Sequence, residues 1–275
     1  MLSQEERHRI YRQGYLPEHI PEYVSAISGS TPHLHHNVLC YVRQNHLLFV
    51  GYPLGDETTD IPRCYRSACR RFKPARVTIM APHIWMSDRF CEIGPVDAYY
   101  RLDLSAVNKS SALAYMIRRA QRELRFGAGT FDDEHRRLIE AFISERDVSS
   151  AHQYIFARIA DYINASETVR ILEVRKASQL VAFSIIDMGS AEYAFYLFNF
   201  RFVQNPVPGA SDLLFSEMVK MASREGKKAV NLGLGLNRGN RRFKEKWGGT
   251  VFVAHREVEV VRKRFYWKTI LDQLK

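Results

Sequence analysis

The chain runs to 275 residues, long enough to bury a substantial core as one large domain or two modest ones. With 46% hydrophobic and 25% charged residues its composition is ordinary for a globular protein, and no apolar run approaches the roughly 18 residues a membrane span requires. Its 40 Lys and Arg outnumber 30 Asp and Glu, and the formal charge of +10 favours a polyanionic partner: nucleic acid, anionic lipid or a phosphorylated cofactor.

Residues 1–36 begin as a polar helix and continue as a loop punctuated by Pro17, Pro21, Gly29 and Pro32. The opening MLSQEERHRI has no apolar stretch of the signal-peptide kind. His33, His35 and His36 follow Pro32 with no second ligand cluster, so a polar loop is expected there and no metal. Cys40, Cys64, Cys69 and Cys91 all fall in the first third without a C-x-x-C pair, which fits a reduced cytoplasmic protein. The runs VLCYV and LLFVGY flank a gap holding Asn45 and read as a hairpin. Asp60 to Lys73 is helical in pattern and dense in cations (Arg63, Arg66, Arg70, Arg71, Lys73), and Arg76 to Met80 is a strand. Strand, strand, helix, strand in so short a span is an α/β half-domain.

Tyr99 to Leu104 alternates as a strand. In Asn108 to Phe126 an apolar stripe of Leu113, Met116, Ile117, Ala120 and Leu124 marks a helix. Arg118, Arg122 and Arg125 take another face, a cationic row that suits an anionic partner or merely faces water. Glu134 to Asp147 is amphipathic with Leu138, Ile139, Phe142 and Ile143 inward, and Ala151 to Ile163 makes one more helix. From Val169 to Phe202 three β runs broken at Ala177–Ser178 and Gly189–Ser190 predict an antiparallel meander. Gly209 and Ala210 then open a helix from Leu213 to Arg224, with Ser211 able to cap its first turn and Gly226 closing it.

The stretch AVNLGLGLNRGNRRFKEKWGG, Ala229 to Gly249, is the most informative. It reads as a buried strand, a loop with Gly233, Gly235 and Gly239, and a helix start crowded by Arg238, Arg241, Arg242, Lys244 and Lys246. Free amides at a helix opening with cationic neighbours make a site for phosphate or another anion, here centred on Gly239, Asn240, Arg241 and Arg242. A dinucleotide fingerprint is excluded because Arg238 stands where its third glycine belongs, and a P-loop because no Lys-Ser or Lys-Thr follows the glycines. Thr250 to Val261 is a last strand. The tail RKRFYWKTILDQLK packs onto the body or touches an acidic membrane surface.

The order helix, helix, three antiparallel strands, glycine loop, helix, strand, short helix, strand resembles a GNAT-type acyltransferase domain. There the loop before the third main helix cradles a pyrophosphate; the matching residues here are Gly209, Ala210 and Ser211. The chain is also similar to the FemAB-like transferases and to the tandem domain of phosphatidylglycerol lysyltransferases. Lys109 to Arg125 resembles the basic helix of their second lobe. Phe243–Lys244 followed by Trp247–Gly248–Gly249 resembles their "FK…GG" element, and Leu47 to Asp56 a segment of the lysyltransferase first lobe. The resemblance implies an α/β (α+β) fold of two GNAT-like lobes, with mixed, mostly antiparallel sheets flanked by helices. The first lobe, residues 1–107, would be degenerate, and residues 108–275 would form the acyltransferase lobe.

It implies transfer of an acyl or aminoacyl group from an activated ester or thioester to an amine or hydroxyl. The donor is expected to be a coenzyme A thioester, an acyl carrier protein or an aminoacyl-tRNA, with no permanently bound cofactor. Lys244, at the family's position, would steady donor phosphate or developing negative charge. Glu192 and Tyr196 on the third meander strand, and Asp187 on the second, are candidate general bases that spacing does not rank. No serine or cysteine with a paired histidine is evident, so direct transfer in a ternary complex is expected. The other reading is a non-catalytic module on the same fold that binds RNA or an anionic surface. The expected location is cytoplasmic, with peripheral contact at a membrane if the tail reaches one.

Overall fold

A computed structural model describes residues 2–55, 58–86, 92–94, 96–107, 109–204 and 206–261. Helix α1 (Gln4–Gln13) is started by Ser3, whose side chain accepts from the Glu6 amide while Glu6 returns to the Ser3 amide. A 3₁₀ turn at Pro17–His19 leads into α2 (Pro21–Ser28), stopped by Gly29 at φ 67°. Then follow β1 (Thr31–His35), β2 (Val38–Arg43), β3 (His46–Val50), α3 (Ile61–Phe72, capped by Asp60), β4 (Arg76–Ala81), β5 (Glu92–Ile93) and β6 (Asp97–Asp103). The remainder is α4 (Ser111–Glu123), β7 (Arg125–Gly129), α5 (Asp133–Ser144), α6 (Ser150–Phe156), α7 (Ile159–Ala165), β8 (Val169–Lys176), β9 (Gln179–Asp187), β10 (Tyr193–Arg201), α8 (Ala210–Arg224), β11 (Ala229–Leu234), α9 (Arg238–Lys246) and β12 (Thr250–Val261).

These elements group into two compact units. The smaller takes Ser30–Val96 and the chain from Ala254. Its strands run in the order β1, β2, β3, β4, β12, with β3 and β4 parallel and the other neighbours antiparallel. Alternate strand residues (Val38 and Cys40, Leu47 and Phe49, Val77 and Ile79) turn to one face, where Cys64, Ala68 and Cys69 of α3 cover them.

The larger unit takes Ser3–Gly29 and Asp97–Val253. Its strand order is β6, β11, β10, β9, β8, β7, parallel only at β10–β11. β9 is buried along nearly its whole length because both faces are covered. Ala182 and Ile186 meet Leu214, Met218 and Ala222 of α8 and the stripe of α4. Phe183 and Ile185 meet Leu138 and Ile139 of α5 and Tyr162 of α7. Each strand alternates its apolar side chains between two helical layers, so β9 carries apolar residues at consecutive positions.

Mixed, mostly antiparallel sheets flanked by helices are what the family resemblance implies, and that is the architecture. The chain does not divide at 107/108. Residues 3–29 group with the larger unit because α2 packs on α7, Tyr23 meeting Tyr162 edge-on at 5.1 Å. Residues 97–107 do so because β6 pairs with β11, and the strand from Ala254 joins the smaller unit because β12 pairs with β4. The histidines expected in a loop lie largely in β1: His35 is buried against Phe72, and only His36, at φ 54°, turns the chain. The single helix expected over 151–163 is two helices, broken at Ala157–Arg158. Arg125 and Phe126 belong to strand β7 instead of extending α4. The tail 262–275 proposed for membrane contact lies outside the described residues, as do Asp56 and Cys91. Among the described residues no helix is long and apolar enough to cross a membrane.

Candidate functional site

β10 and β11 run side by side through three register pairs, Tyr193–Ala229, Ala194–Val230 and Phe195–Asn231, and then part. Both strands become irregular just past the last pair. β10 bulges between Tyr196 and Phe198, and β11 shifts register against β6 between Asn231 and Leu234. Asn231 keeps the strands apart chemically: its side-chain oxygen takes the Gly233 amide at 2.7 Å, and its side-chain nitrogen donates to the Tyr15 carbonyl at 2.7 Å. Gly233 sits at φ 72°, a left-handed conformation that glycine adopts without cost.

On the helix side an aromatic stack reaches from β10 to α9. Tyr196 lies parallel to Phe243 at 6.1 Å and edge-on to Phe215 of α8 at 5.0 Å. Burial, and then the Asp212 carboxylate, push the Tyr196 hydroxyl well above its ordinary value, so it stays protonated and is an acid or a donor, not a base. A polar chain runs beside it: Ser211 donates to Asn199 Oδ1 at 2.7 Å, and Asn199 donates to the buried Ser184 at 2.9 Å.

Next to the stack, Lys244 turns inward from α9 and is only 6% exposed. Its amine donates to the Leu234 carbonyl at the end of β11 and lies 5.5 Å from the centre of the Tyr100 ring. Among the described residues it is in no ion pair. Burial pulls its value from 10.5 down to about 7; Asp97 opposes this and Arg241 adds to it. A buried amine held by a carbonyl, poised near neutrality, is the most perturbed cation of this unit.

Asp97, which the sequence reading passed over, organises the glycine loop. Its carboxylate accepts from the amides of Ala98 (2.8 Å), Gly235 (3.1 Å) and Leu236 (2.7 Å), and Arg241 approaches it at 3.7 Å. The loop amides of Gly235 and Leu236 thus hold this chain's own carboxylate, ahead of the opening at Gly239–Arg242 where a phosphate or other anion is expected. Gly235 is required by close approach, since a Cβ there would lie 2.6 Å from Asp97 Oδ1 and 2.8 Å from Arg241 Nε. Gly239 instead lies within the first turn of α9, and the Asn240 amide is already taken by the capping side chain of Asn237 at 3.0 Å. Arg238 and Arg242 remain exposed. No sequence signal marks Asp97: it meets Gly235 across 138 positions of chain.

The other predicted opening is also occupied by protein. Gly209 caps α8 at φ 79° without a side-chain cap, but a Cβ there would meet Ala120 Cβ at 3.0 Å and the Met116 carbonyl at 3.1 Å. The glycine is needed for α4 to pack. Ala210 is buried, and Ser211 turns to Asn199 instead of capping. Asp212 in the first turn of α8 accepts from Trp247 Nε1 at 3.0 Å and pairs with Lys246 at 2.5 Å. The opening of α8 therefore faces the last turn of α9, not its start.

Glu192 is removed from this site as well. It is exposed, pairs with Lys228, and lies beside Ala229 at the closed end of the β10–β11 pair. Leu234 is five residues further, roughly 17 Å along the strand. Asp187 is buried and saturated by Tyr162, Thr168 and the Gly189 amide, a structural carboxylate. Among the described residues no group of three or more His, Cys, Asp or Glu is placed to hold a metal ion.

No family model matches the chain, and no curated protein matches it. Solved structures do. L-PGS from Bacillus licheniformis superposes with a TM-score of 0.60 at 16% identity, over 99% of this chain and 96% of that one. The C-terminal domain of a protein named as a lysylphosphatidylglycerol synthetase from Agrobacterium fabrum gives 0.58 at 16% identity, over 86% and 87%. FemX gives 0.61 at 9% identity, over 100% and 98%. The fold is GNAT-like, of the FemAB and lysylphosphatidylglycerol synthetase type.

On this GNAT-like frame the FK…GG element has a physical reading. Phe243 completes the aromatic stack and Lys244 supplies the buried amine. Trp247 is 1% exposed and ties α9 to Asp212. Gly248, at φ 85°, ends α9, and Gly249 lets the turn press on β11, where a Cβ would lie 2.5 Å from Leu232. Lys109 lies 5.5 Å over the same Trp247 ring and donates to Ser216 at 3.0 Å, so the start of the resembling basic helix also anchors here.

Proposed function

We propose that this protein is an acyl- or aminoacyltransferase that moves its acyl group directly from an activated ester or thioester to an amine or hydroxyl, with Lys244 as the group that meets the reacting carbonyl. The observation that carries this is the Lys244 amine, buried against Tyr100 of β6 and held by the Leu234 carbonyl at the end of β11, with no carboxylate in ion-pair distance among the described residues. Its ammonium form has three N–H groups; one goes to Leu234, which leaves two for an oxyanion. As the acceptor's nitrogen or oxygen bonds to the acyl carbon, the carbonyl oxygen gains charge. A fixed ammonium in a dry site stabilises that charge more in the transition state than in the ground state. The carbon–oxygen or carbon–sulfur bond of the donor then breaks, and the acceptor's proton passes to the leaving group. Tyr196, on the same aromatic stack, would relay that proton, its hydroxyl giving one to the leaving group and regaining the acceptor's.

One fold neighbour is named as a lysylphosphatidylglycerol synthetase and another for acetyl-coenzyme A, so the names fit either donor class. The occupied opening of α8, where Asp212 and the close approach of α4 stand in the way of a pyrophosphate, favours an aminoacyl ester over a thioester. The exposed arginines of α3 (Arg63, Arg66, Arg70) and α4 (Arg118, Arg122) suit the phosphates of a tRNA.

The test is transfer from total tRNA charged with radiolabelled amino acids, and in parallel from labelled acetyl-coenzyme A, to a panel of amines and hydroxyl lipids. Transfer above spontaneous hydrolysis that falls about 10²- to 10³-fold in Lys244→Ala supports the reading. Salt-sensitive tRNA binding with no transfer, equal in both proteins, would leave the non-catalytic module in its place.

A further inference from the structure

We propose that Asp97 and Arg241 together set the charge of the Lys244 amine, Asp97 as the positioning residue that fixes the loop carbonyl holding it and Arg241 as the opposing cation. This deepens, and rests on, the reading of Lys244 as the group that meets the acyl carbonyl. The Tyr100 ring of β6 and the Leu234 carbonyl of β11 lie against the amine. The charges that act on it are Asp97 of β6, in favour of the ammonium, and Arg241 of α9, against it. Asp212 of α8 is engaged by Lys246 and Trp247.

The geometry is that of a clamp. Asp97 binds the amides of Gly235 and Leu236, the two residues after Leu234, and holds Leu236 at φ 54° although it is not a glycine. Left-handed leucine is unfavourable by itself and persists because the carboxylate gathers both amides. The Leu234 carbonyl is thereby fixed toward α9. Arg241, one turn before Lys244 on the same helix, reaches the same carboxylate at 3.7 Å and closes over Gly235 where no side chain fits. One carboxylate thus holds both the loop next to the Leu234 carbonyl and a guanidinium one turn before the buried amine. Moving either charge changes how readily the amine holds its proton. That is what a transfer site needs if an incoming anionic donor, by drawing Arg241 away from Asp97, is to favour the ammonium at the moment of reaction.

The experiment requires no acyl transfer, so the transferase reading can fail while this stands. The folded protein is trace-labelled with acetic anhydride across pH 5 to 10, and the modification of Lys244 is read by mass spectrometry against the other lysines. The wild type should titrate near pH 7, the value burial gives it. Asp97→Asn should move the midpoint down by roughly one pH unit, and Arg241→Met should move it up by a similar amount. If Asp97 only holds the loop, its loss hydrates the amine and the midpoint rises in Asp97→Asn, which would overturn the proposal. Arg241→Met, which touches none of the loop amides, guards against misfolding of the first variant. A rise with unchanged hydrogen-exchange protection at Gly235 and Leu236 supports the shared charge, and no rise overturns it.

Discussion

The two ends of the β10–β11 pair are built in opposite ways. At the start, the Glu192 carbonyl takes the amides of Lys228 and Ala229, the strands keep register, and the charges of Glu192 and Lys228 pair in the open. At the far end both strands lose register, and the charged group is a buried lysine held only by a carbonyl. An exposed pair is worth about 0–1 kcal/mol, whereas an uncompensated buried charge costs several. The closed end therefore carries charge that is nearly neutral for stability, and the parted end carries charge that the fold would be more stable without. A cost of that kind, placed at the end of β11 where its register with β6 shifts, is what the proposed transfer chemistry would account for.

The largest effect should come from relieving that cost. The folded value of Lys244 lies below its unfolded 10.5, so between about 7 and 10.5 the unfolded chain holds more protons. The wild type therefore gains stability as pH rises through that window, and carries the full penalty below it. The drop corresponds to a penalty on the order of 4 kcal/mol on the charged form. Lys244→Met removes the titrating group. The stability of wild type minus variant, from urea unfolding at several pH values, should climb by about 1.4 kcal/mol per pH unit between 7 and 9. The lost bond to Leu234 is common to all pH values and drops out of that slope. A flat difference would mean that Lys244 is solvated, and the contrast between the two ends would vanish.

How much of this was legible from sequence follows the range of the interactions. The stripe of α4 could be read because Leu113, Ile117, Ala120 and Leu124 repeat with the helical period and are buried, whereas Met116, expected in the same stripe, is exposed. The meander β8–β9–β10 could be read because its turns are local. β7 could not: RFGAG has two glycines and exposed side chains, and is a strand only because β8 offers it a partner. The break at Ala157–Arg158 has no glycine or proline to announce it. In the candidate site, Lys244, Phe243 and Trp247 were visible as a short motif. The glycines of the loop point to an anion at Gly239–Arg242, whereas the amides of Gly235 and Leu236 are held by Asp97, which comes from the far side of the sequence with nothing local to point to it. The opening at Gly209 looked free because a glycine needed for packing and one needed for a ligand read alike.

Two further changes sharpen the contrast between what the parted end uses for packing and what it uses for charge. Trp247→Ala removes a ring 1% exposed that fits edge-on to Phe215 at 4.8 Å, and it leaves Asp212 with Lys246 alone. The expected loss is about 3–5 kcal/mol in chemical denaturation. Gly209→Ala places a Cβ 3.0 Å from Ala120 and forces alanine to φ 79°, for an expected loss of about 1–3 kcal/mol. Gly239→Ala is its counterpart at the other helix opening. There the added carbon meets only Asn237 Oδ1, at 3.3 Å, and alanine favours the helix by up to about 1 kcal/mol. Opposite signs for the two glycines in thermal melts would separate a packing glycine from a tolerant one. Equal losses would mean that the start of α9 is as crowded as that of α8.

The smallest effect belongs to the closed end. Glu192→Gln removes the carboxylate that pairs with Lys228, but the backbone carbonyl of Glu192, which takes the Lys228 and Ala229 amides, is untouched. Both side chains are roughly half exposed or more, so water and salt screen the pair. Unfolding should shift by less than about 1 kcal/mol, with the shift fading as salt is raised. Any transfer activity should keep its parent rate, because the strand carries Glu192 away from Lys244 by five residues of β11. A general base removed by the same substitution would instead cost about 10²- to 10⁴-fold. A fall of that size in Glu192→Gln, with stability unchanged, would place the chemistry at the closed end and reverse the assignment of the two ends.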